Sequence, residues 1–112
     1  SSCSQLIPWS DGRILWMGNI CAENPPGNSP RYPFVLGMVD PDSGLLVRDS
    51  VVALDDRAPD ESPRLTLSNF YARRDPITGH LLLHLTRLFA RNQPNQPTDW
   101  TADALQYRIA VH

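Results

Sequence analysis

Apolar and polar positions along the chain form short runs of the length that antiparallel strands need, separated by turn-forming residues. The clearest case lies between Arg31 and Leu54. Phe34–Val39 is a nearly continuous apolar run, which predicts a strand buried on both faces. Asp40–Gly44, DPDSG, supplies the proline, aspartate, serine and glycine of a tight turn. Leu45–Leu54 returns as the partner strand, interrupted by the polar triplet Arg48-Asp49-Ser50.

Another hairpin precedes this one. The apolar stretches Leu6–Trp9 and Arg13–Gly18 flank the sequence Ser-Asp-Gly, and Asp-Gly between apolar runs is a strong signal for a tight hairpin turn. The connections at 21–30 and 55–64 are rich in proline, which cannot donate to a strand ladder. We therefore predict loops in both places.

The second half of the chain repeats this organisation, with one ambiguous segment. Leu65–Arg74 predicts a strand and Asp75–Gly79, DPITG, a turn. His80–Phe89 is the predicted return strand, but its leucines also fit the i, i+3, i+4 stripe of an amphipathic helix. The preceding turn favours the strand, and a helix over 80–91 stays open as the alternative.

A polar loop at 90–99 leads to a last apolar segment. Ala104–Val111 places alternate apolar residues on one face, which predicts a strand, with a helix over 101–110 as the alternative. Together the patterns predict an all-β chain of about seven strands in antiparallel sheets. Four strands fall in residues 1–57 and three in 58–112, so we predict two β-propeller-blade-like units, the second lacking a fourth strand.

Size and charge exclude several classes of function. The 112 residues suffice for one domain with its own core. A net charge of -2 gives no attraction to nucleic acid or anionic membrane, and no apolar run approaches the roughly 18 residues that span a bilayer. We predict neither as a partner. All ten cationic residues are arginine, which excludes lysine chemistry and suits bidentate recognition of carboxylates, although codon usage could also account for it.

Metal and cofactor chemistry find no support in the sequence. Cys3 and Cys21 are too few for a structural zinc site unless histidines join them, and His80, His84 and His112 have no metal-binding spacing. We therefore predict no cofactor and no metal. The two thiols could meet at the open end of the first hairpin, so a disulfide is one alternative, and two separate thiols are the favoured one.

A family resemblance is carried by four stretches of the chain: WSDGRILWMGN, RYPFVLGMVDPDSG, LSNFYARRDPITGHLLLHLTRLF and WTADALQYRI. Together they resemble the C-terminal part of bacterial sialidase-like glycoside hydrolases, which are six-bladed β-propellers with BNR, or Asp-box, repeats. The Asp-box turn, S-x-D-x-G-x-x-W, joins the third and fourth strands of a blade. Asp42 and Gly44 match it here, and Val47 stands at the tryptophan position. The resemblance covers nearly the whole chain but only the last third of such a propeller.

The resemblance implies which residues would meet a substrate. In sialidases this region contributes one arginine of the triad that holds the substrate carboxylate, and Arg31 matches it by position. It also contributes a nucleophilic tyrosine on the first strand of the final blade. Here Leu67–Phe70 occupies that segment and the nearest phenol is Tyr71. The resemblance therefore implies carbohydrate as a partner and leaves the catalytic residues unidentified.

Further candidate residues follow from strand alternation. Asn69, Tyr71 and Arg73 alternate along the predicted fifth strand, where they could present an amide, a phenol and a guanidinium to a sugar. A solvated sheet face is the alternative reading. With Arg31 they form the predicted substrate-binding set. His84 lies among leucines and is interpreted as a hydrogen-bonded core histidine rather than a base.

The remaining charges are interpreted as structural. Asp55-Asp56 and Asp60-Glu61 fall in a polar connection, where charge runs are usually solvated. Arg87 shares a predicted strand face with Leu85 and could neutralise a carboxylate of the loops.

Two functional hypotheses follow. The leading one is a C-terminal fragment of a sialidase-like propeller that binds or hydrolyses carbohydrate only in the context of the full propeller. The alternative is a small non-catalytic β-sheet module that binds a partner or forms a homo-oligomer through its exposed strand edges.

Overall fold

The structure, a computed structural model, describes residues 4–21, 31–88 and 102–111, which form two antiparallel sheets. Four strands make the first sheet in chain order: β1 (Ser4–Pro8), β2 (Ile14–Asn19), β3 (Phe34–Val39) and β4 (Leu46–Asp55). Three strands make the second: β5 (Thr66–Arg74), β6 (Leu81–Leu88) and β7 (Ala102–Ile109). The predicted all-β chain of seven antiparallel strands is confirmed. The sheets lie within the predicted ranges 1–57 and 58–112.

Both ambiguous segments are strands. β6 pairs with β5 on one side and with β7 on the other, so a helix over 80–91 or 101–110 is excluded for the residues that the structure describes. The leucine stripe has a different cause: β6 is the central strand of its sheet, and four of its leucines are buried, namely Leu81, Leu82, Leu83 and Leu85. Leu81, Leu83 and Leu85 face the core and Leu82 is buried on the opposite face, so the leucines form a nearly continuous run that mimics a helical stripe.

Several other predictions fall on or beside these strands. Phe34, Val35 and Leu36 are all buried, which confirms that β3 is covered on both faces. The predicted loop at 55–64 is irregular after Asp55. Most of the predicted loop at 21–30, all of 90–99 and Cys3 lie outside the described residues, whereas Cys21 is a free cysteine.

The two Asp-Pro turns have the same internal structure. In the turn after β3, Asp40 accepts hydrogen bonds from the Asp42 amide (3.0 Å) and the Ser43 hydroxyl (3.1 Å), and Gly44 has a φ of 73°. Asp75 makes the equivalent bonds, and Gly79 also has a φ of 73°. Glycine adopts this left-handed conformation without steric cost. The first turn joins the third and fourth strands of its sheet, but the second joins the first and second, so the turn alone does not mark one position in a blade.

One hydrophobic core lies between the two sheets. Its buried residues come equally from both halves of the chain: Ile7, Trp9, Leu15, Met17, Phe34 and Leu36 from the first, and Leu65, Leu67, Ala72, Leu81, Leu83 and Leu85 from the second. The rings of Phe34 and Phe70 meet edge to face, with centroids 4.7 Å apart. Because neither sheet could bury this surface alone, the two units depend on each other for stability.

The edge of β5 that faces away from β6 is bonded to the first unit. The backbone of Arg31 donates to the Leu65 carbonyl (3.0 Å) and accepts from the Leu67 amide (2.8 Å). Farther along, the side-chain amide of Gln5 donates to the Ala72 carbonyl (2.8 Å) and accepts from the Ala72 amide (3.1 Å). These bonds satisfy backbone groups that would otherwise lie exposed along a strand edge.

Candidate functional site

A β-bulge interrupts β5 at the first of the predicted site residues. Ser68 pairs with Thr86 and Tyr71 with His84, so two residues of β5 oppose one residue of β6. Asn69 lies inside this bulge with a φ of 53°. Asparagine is one of the few residues other than glycine that adopt this left-handed conformation readily. The three predicted residues therefore do not lie on one uninterrupted strand.

The bulge changes which positions of β5 face the core. Before it, Leu67 is a core residue; after it, Phe70 and Ala72 pack into the same core. Because the parity changes, Tyr71 and Arg73 share the face that points away from the first sheet. Tyr71 is 60% exposed, and Arg73 and Asn69 are also exposed. All three are accessible to a ligand.

A polar row crosses the second sheet at Tyr71. Tyr71 pairs with His84 of β6, which in turn pairs with Gln106 of β7. All three side chains are exposed. The interpretation of His84 as a core histidine is therefore wrong: it is flanked in sequence by core leucines, but strand alternation turns it to the opposite face.

Arg31 occupies a different environment from the other three predicted residues. It is only 7% exposed and lies at the junction of the two sheets, in an isolated parallel bridge to Thr66. Asn19 binds the same junction, because its side-chain amide donates to the carbonyls of Pro33 (3.2 Å) and Leu67 (3.1 Å). Tyr71 and Arg73 thus share an open sheet face, and Arg31 is enclosed between the sheets.

A charged network, which we call the Arg87 network, joins the two sheets near the connection between them. The Arg87 guanidinium binds Asp55, with 2.5 Å between Nη1 and Oδ1, and also binds the Glu61 carboxylate. The Tyr107 hydroxyl donates to the other oxygen of Asp55. Side-chain exposure is only 13% for Asp55, 14% for Arg87 and 19% for Glu61. The network therefore holds β4, the connecting loop, β6 and β7 together.

The Arg87 network confirms one interpretation of the sequence and contradicts another. The expectation that Arg87 neutralises a loop carboxylate is confirmed. The expectation that the carboxylates of the connection are solvated is wrong for Asp55 and Glu61, because Arg87 holds both in a largely enclosed position. The phenol of Tyr107 was not foreseen. Its only sequence signal was its place on the apolar face of the last strand, where a buried hydroxyl needs a partner.

Ionisation within the network follows from these contacts. Hydrogen bonds from Arg87 lower the pKa of Glu61 below its ordinary value of 4.5. Burial and the hydrogen bond to Asp55 raise the pKa of Tyr107 to about 12. A phenol with a raised pKa is a poor nucleophile at neutral pH, so this geometry suits a structural role.

An open cavity of about 450 Å³ lies at the other end of the first sheet, between its two hairpin turns. Its lining is mainly apolar, with Met38, Val39, Pro41 and Val47, and it contains none of the predicted site residues. At its rim, Arg13 forms a salt bridge of 2.6 Å with Asp11, and a hydrogen bond from Arg13 lowers the pKa of that carboxyl.

Among the described residues, no group of three or more histidines, cysteines or carboxylates is arranged to hold a metal ion. The same part of the chain contains no helix long and apolar enough to cross a membrane.

Comparison with known proteins returned no relatives. No family model matches this sequence, and no curated protein and no solved structure is similar to it.

Proposed function

We propose that this chain is the C-terminal part of a sialidase-like β-propeller and that it binds or hydrolyses carbohydrate together with further blades. The observation that carries the proposal is the stacking of two consecutive antiparallel meanders on one core. Propeller blades have this arrangement, since each blade is a short meander that buries its faces against its neighbours. The four-plus-three strand count supports it further, because a blade has four strands.

The outer face of the second sheet supports carbohydrate as the ligand. Tyr71 offers an exposed aromatic ring, and Arg73 and Asn69 lie beside it on the same strand with polar groups. Sugar-binding surfaces combine an aromatic ring with hydrogen-bonding side chains. Arg31, the residue that resembles a sialidase arginine, is enclosed in this chain, so the proposal of a carbohydrate ligand rests on the exposed face and not on Arg31.

Catalysis is proposed to require the other blades. No described tyrosine stands at the position of the sialidase nucleophile, and Tyr107 is engaged by Asp55. The acid/base carboxylate and the remaining arginines of such a site would come from earlier blades.

A hydrolysis assay tests the proposal. We expect the 112-residue chain alone to release no fluorophore from 4-methylumbelliferyl glycosides, including a sialoside. The longer polypeptide encoded by the extended reading frame should bind or hydrolyse a glycan. In that polypeptide Tyr71→Ala should weaken glycan binding about two- to tenfold, the effect of losing one aromatic contact.

Ile77→Ala is the matched control for Tyr71→Ala, because Ile77 is an exposed apolar residue of the neighbouring turn, and it should leave binding unchanged. Hydrolysis by a monomer of the isolated chain would contradict the proposal. So would a longer polypeptide without any effect on carbohydrate.

A strand-pairing module is the second candidate, and the outer edge of β7 favours it. β7 pairs with β6 over eight consecutive positions without a bulge, and no described residue pairs with its other edge. β4, at the edge of the first sheet, differs: a bulge disrupts it, and Ser50 accepts from the Met38 amide (2.8 Å) inside that bulge. Bulges protect edges from pairing with another chain, and a regular edge such as that of β7 invites it.

Light scattering tests this second candidate. We expect a soluble dimer without glycan affinity, which Ala104→Lys on β7 converts to a monomer because a charge on an edge strand opposes pairing. Ala53→Lys on β4 is the control and should leave the dimer intact. A monomeric wild type, or a dimer that persists in Ala104→Lys, would exclude pairing through β7.

A further inference from the structure

Leu82 is buried on the face of its sheet that points away from the core. It is 5% exposed, yet it is not a member of the core between the two sheets, which takes Leu81 and Leu83 instead. Successive side chains of a strand point to opposite faces, so Leu82 lies on the outer face of the second sheet. Something on that outer face must therefore cover it.

The residues directly beside Leu82 are two arginines. Arg73 of β5 pairs with Leu82 on one side, and Arg108 of β7 pairs with it on the other. Arginine side chains lay their aliphatic stems along apolar surface and keep the guanidinium in water. Both arginines are exposed, and the strand register places them on either side of Leu82 on the same face of the sheet. Their Cα atoms, two strand spacings apart, are separated by about 10 Å.

No carboxylate of the described residues forms an ion pair with either arginine. Neither Arg73 nor Arg108 takes part in a hydrogen bond or ion pair within the part of the chain that the structure describes. Asp75 lies near Arg73: hydrogen bonds from the Thr78 hydroxyl and the Ile77 amide, and to a smaller extent the positive charge of Arg73, lower the pKa of the Asp75 carboxyl. Arg73 and Arg108 are therefore two exposed positive charges, of which Arg73 has a carboxylate nearby.

The outer faces of the two sheets differ in chemistry. On the first sheet, Leu6 pairs with Trp16 on the face opposite the core, and Leu6 is 60% exposed. On the second sheet, the corresponding face carries the arginine pair beside the polar row of Tyr71, His84 and Gln106. An apolar face suits packing against another sheet, whereas a face with two charges suits contact with water or a charged ligand.

We propose that Arg73 and Arg108 form a binding site for the anionic groups of an acidic polysaccharide. The two guanidinium groups would bind a carboxylate or sulfate, for which the planar fork of arginine is well matched. Tyr71 would contact the sugar ring, and Gln106 would hydrogen-bond to its hydroxyl groups. The choice of carbohydrate rests on the proposed function, but the site itself lies entirely within one sheet of this chain and is separate from Arg31.

Calorimetric titration of the 112-residue chain tests the site. The probes are a polygalacturonate oligomer for carboxylates, a heparin-derived oligosaccharide for sulfates and a neutral maltooligosaccharide. We expect at least one acidic probe to bind, and the neutral probe not to bind. Arg73→Gln and Arg108→Gln should each weaken binding about fivefold, and the double variant about twentyfold or more. Added salt should weaken binding by the wild type.

Arg48→Gln is the matched control, because Arg48 is an exposed arginine on the edge of the other sheet, and it should bind as the wild type does. Equal binding of neutral and acidic probes, failure of both acidic probes, or unchanged affinity in the double variant would overturn the inference. Each of these results would concern the isolated chain only. The proposed role of the longer polypeptide would still be tested separately, by the glycoside assay.

Discussion

Replacing Arg87 with methionine should lower the free energy of unfolding by about 3 to 5 kcal/mol, the usual cost of removing one partner from an enclosed ion pair. Methionine keeps much of the side-chain volume, so the loss reports charge rather than packing. Without the guanidinium, Asp55 and Glu61 would remain as two neighbouring carboxylates with little access to solvent. Urea denaturation followed by circular dichroism would measure the change.

The matched control is Arg48→Met, since Arg48 is exposed and an exposed substitution of this kind should change stability by less than about 0.5 kcal/mol. A similar small effect for Arg87→Met would mean that the network contributes little to the folded state.

The same variant should change how stability depends on acid. In the wild type, the lowered pKa of Glu61 means that its contribution is present above its unfolded pKa and is lost as the pH falls through the folded pKa. Without Arg87, burial raises the pKa of Glu61 instead. Lowering the pH should therefore increase the free energy of unfolding of the variant, whereas it decreases that of the wild type. Unfolding curves of both proteins between pH 3 and 7, in roughly unit steps, would reveal the difference. Parallel curves would contradict it.

Leu83→Ala should destabilise the protein by about 2 to 5 kcal/mol, through lost burial and the cavity left behind. Leu83 has no exposed surface and lies on the central strand of the second sheet, where it faces the shared core. Because both sheets bury their apolar faces in this core, the variant should weaken both together. A single unfolding transition, shifted to lower urea concentration with an unchanged slope, is the expected result.

Leu45→Ala serves as the control for Leu83→Ala. Leu45 is 68% exposed in the turn after β3, so its truncation should cost less than about 0.5 kcal/mol. Two separate transitions in Leu83→Ala, one for each sheet, would show that the sheets are stable independently and that the core is not shared in the way described above.

Much of the fold was predictable because it depends on local sequence. Asp-Gly and the two Asp-Pro-x-x-Gly segments fix hairpin turns through backbone preferences of a few neighbouring residues. The apolar run Phe34–Val39 identified a strand covered on both faces, and the triplet Arg48-Asp49-Ser50 identified the place where β4 departs from regular pairing. These features need no knowledge of the rest of the chain.

The sequence could name candidate site residues, but it could not give their arrangement. Counting by two from Asn69 to Tyr71 and Arg73 assumes a regular strand, and the bulge at Asn69 breaks that count. The interpretation of His84 as a core histidine was wrong for a related reason. Leucines on either side in the sequence do not determine which face of the strand a single residue takes.

The sequence by itself determined the strands, their turns and the all-β class, because side-chain periodicity and turn chemistry act over a few residues. How the sheets meet depended on the packing of the whole chain: Gln5 bonds to Ala72, Arg87 joins Asp55 to Glu61, and Arg73 and Arg108 flank Leu82. Apart from the neighbours Arg73 and Leu82, the residues that meet lie 26 to 67 positions apart in the sequence. They meet because unsatisfied backbone groups, enclosed charges and apolar surface must each find a partner once the sheets pack together.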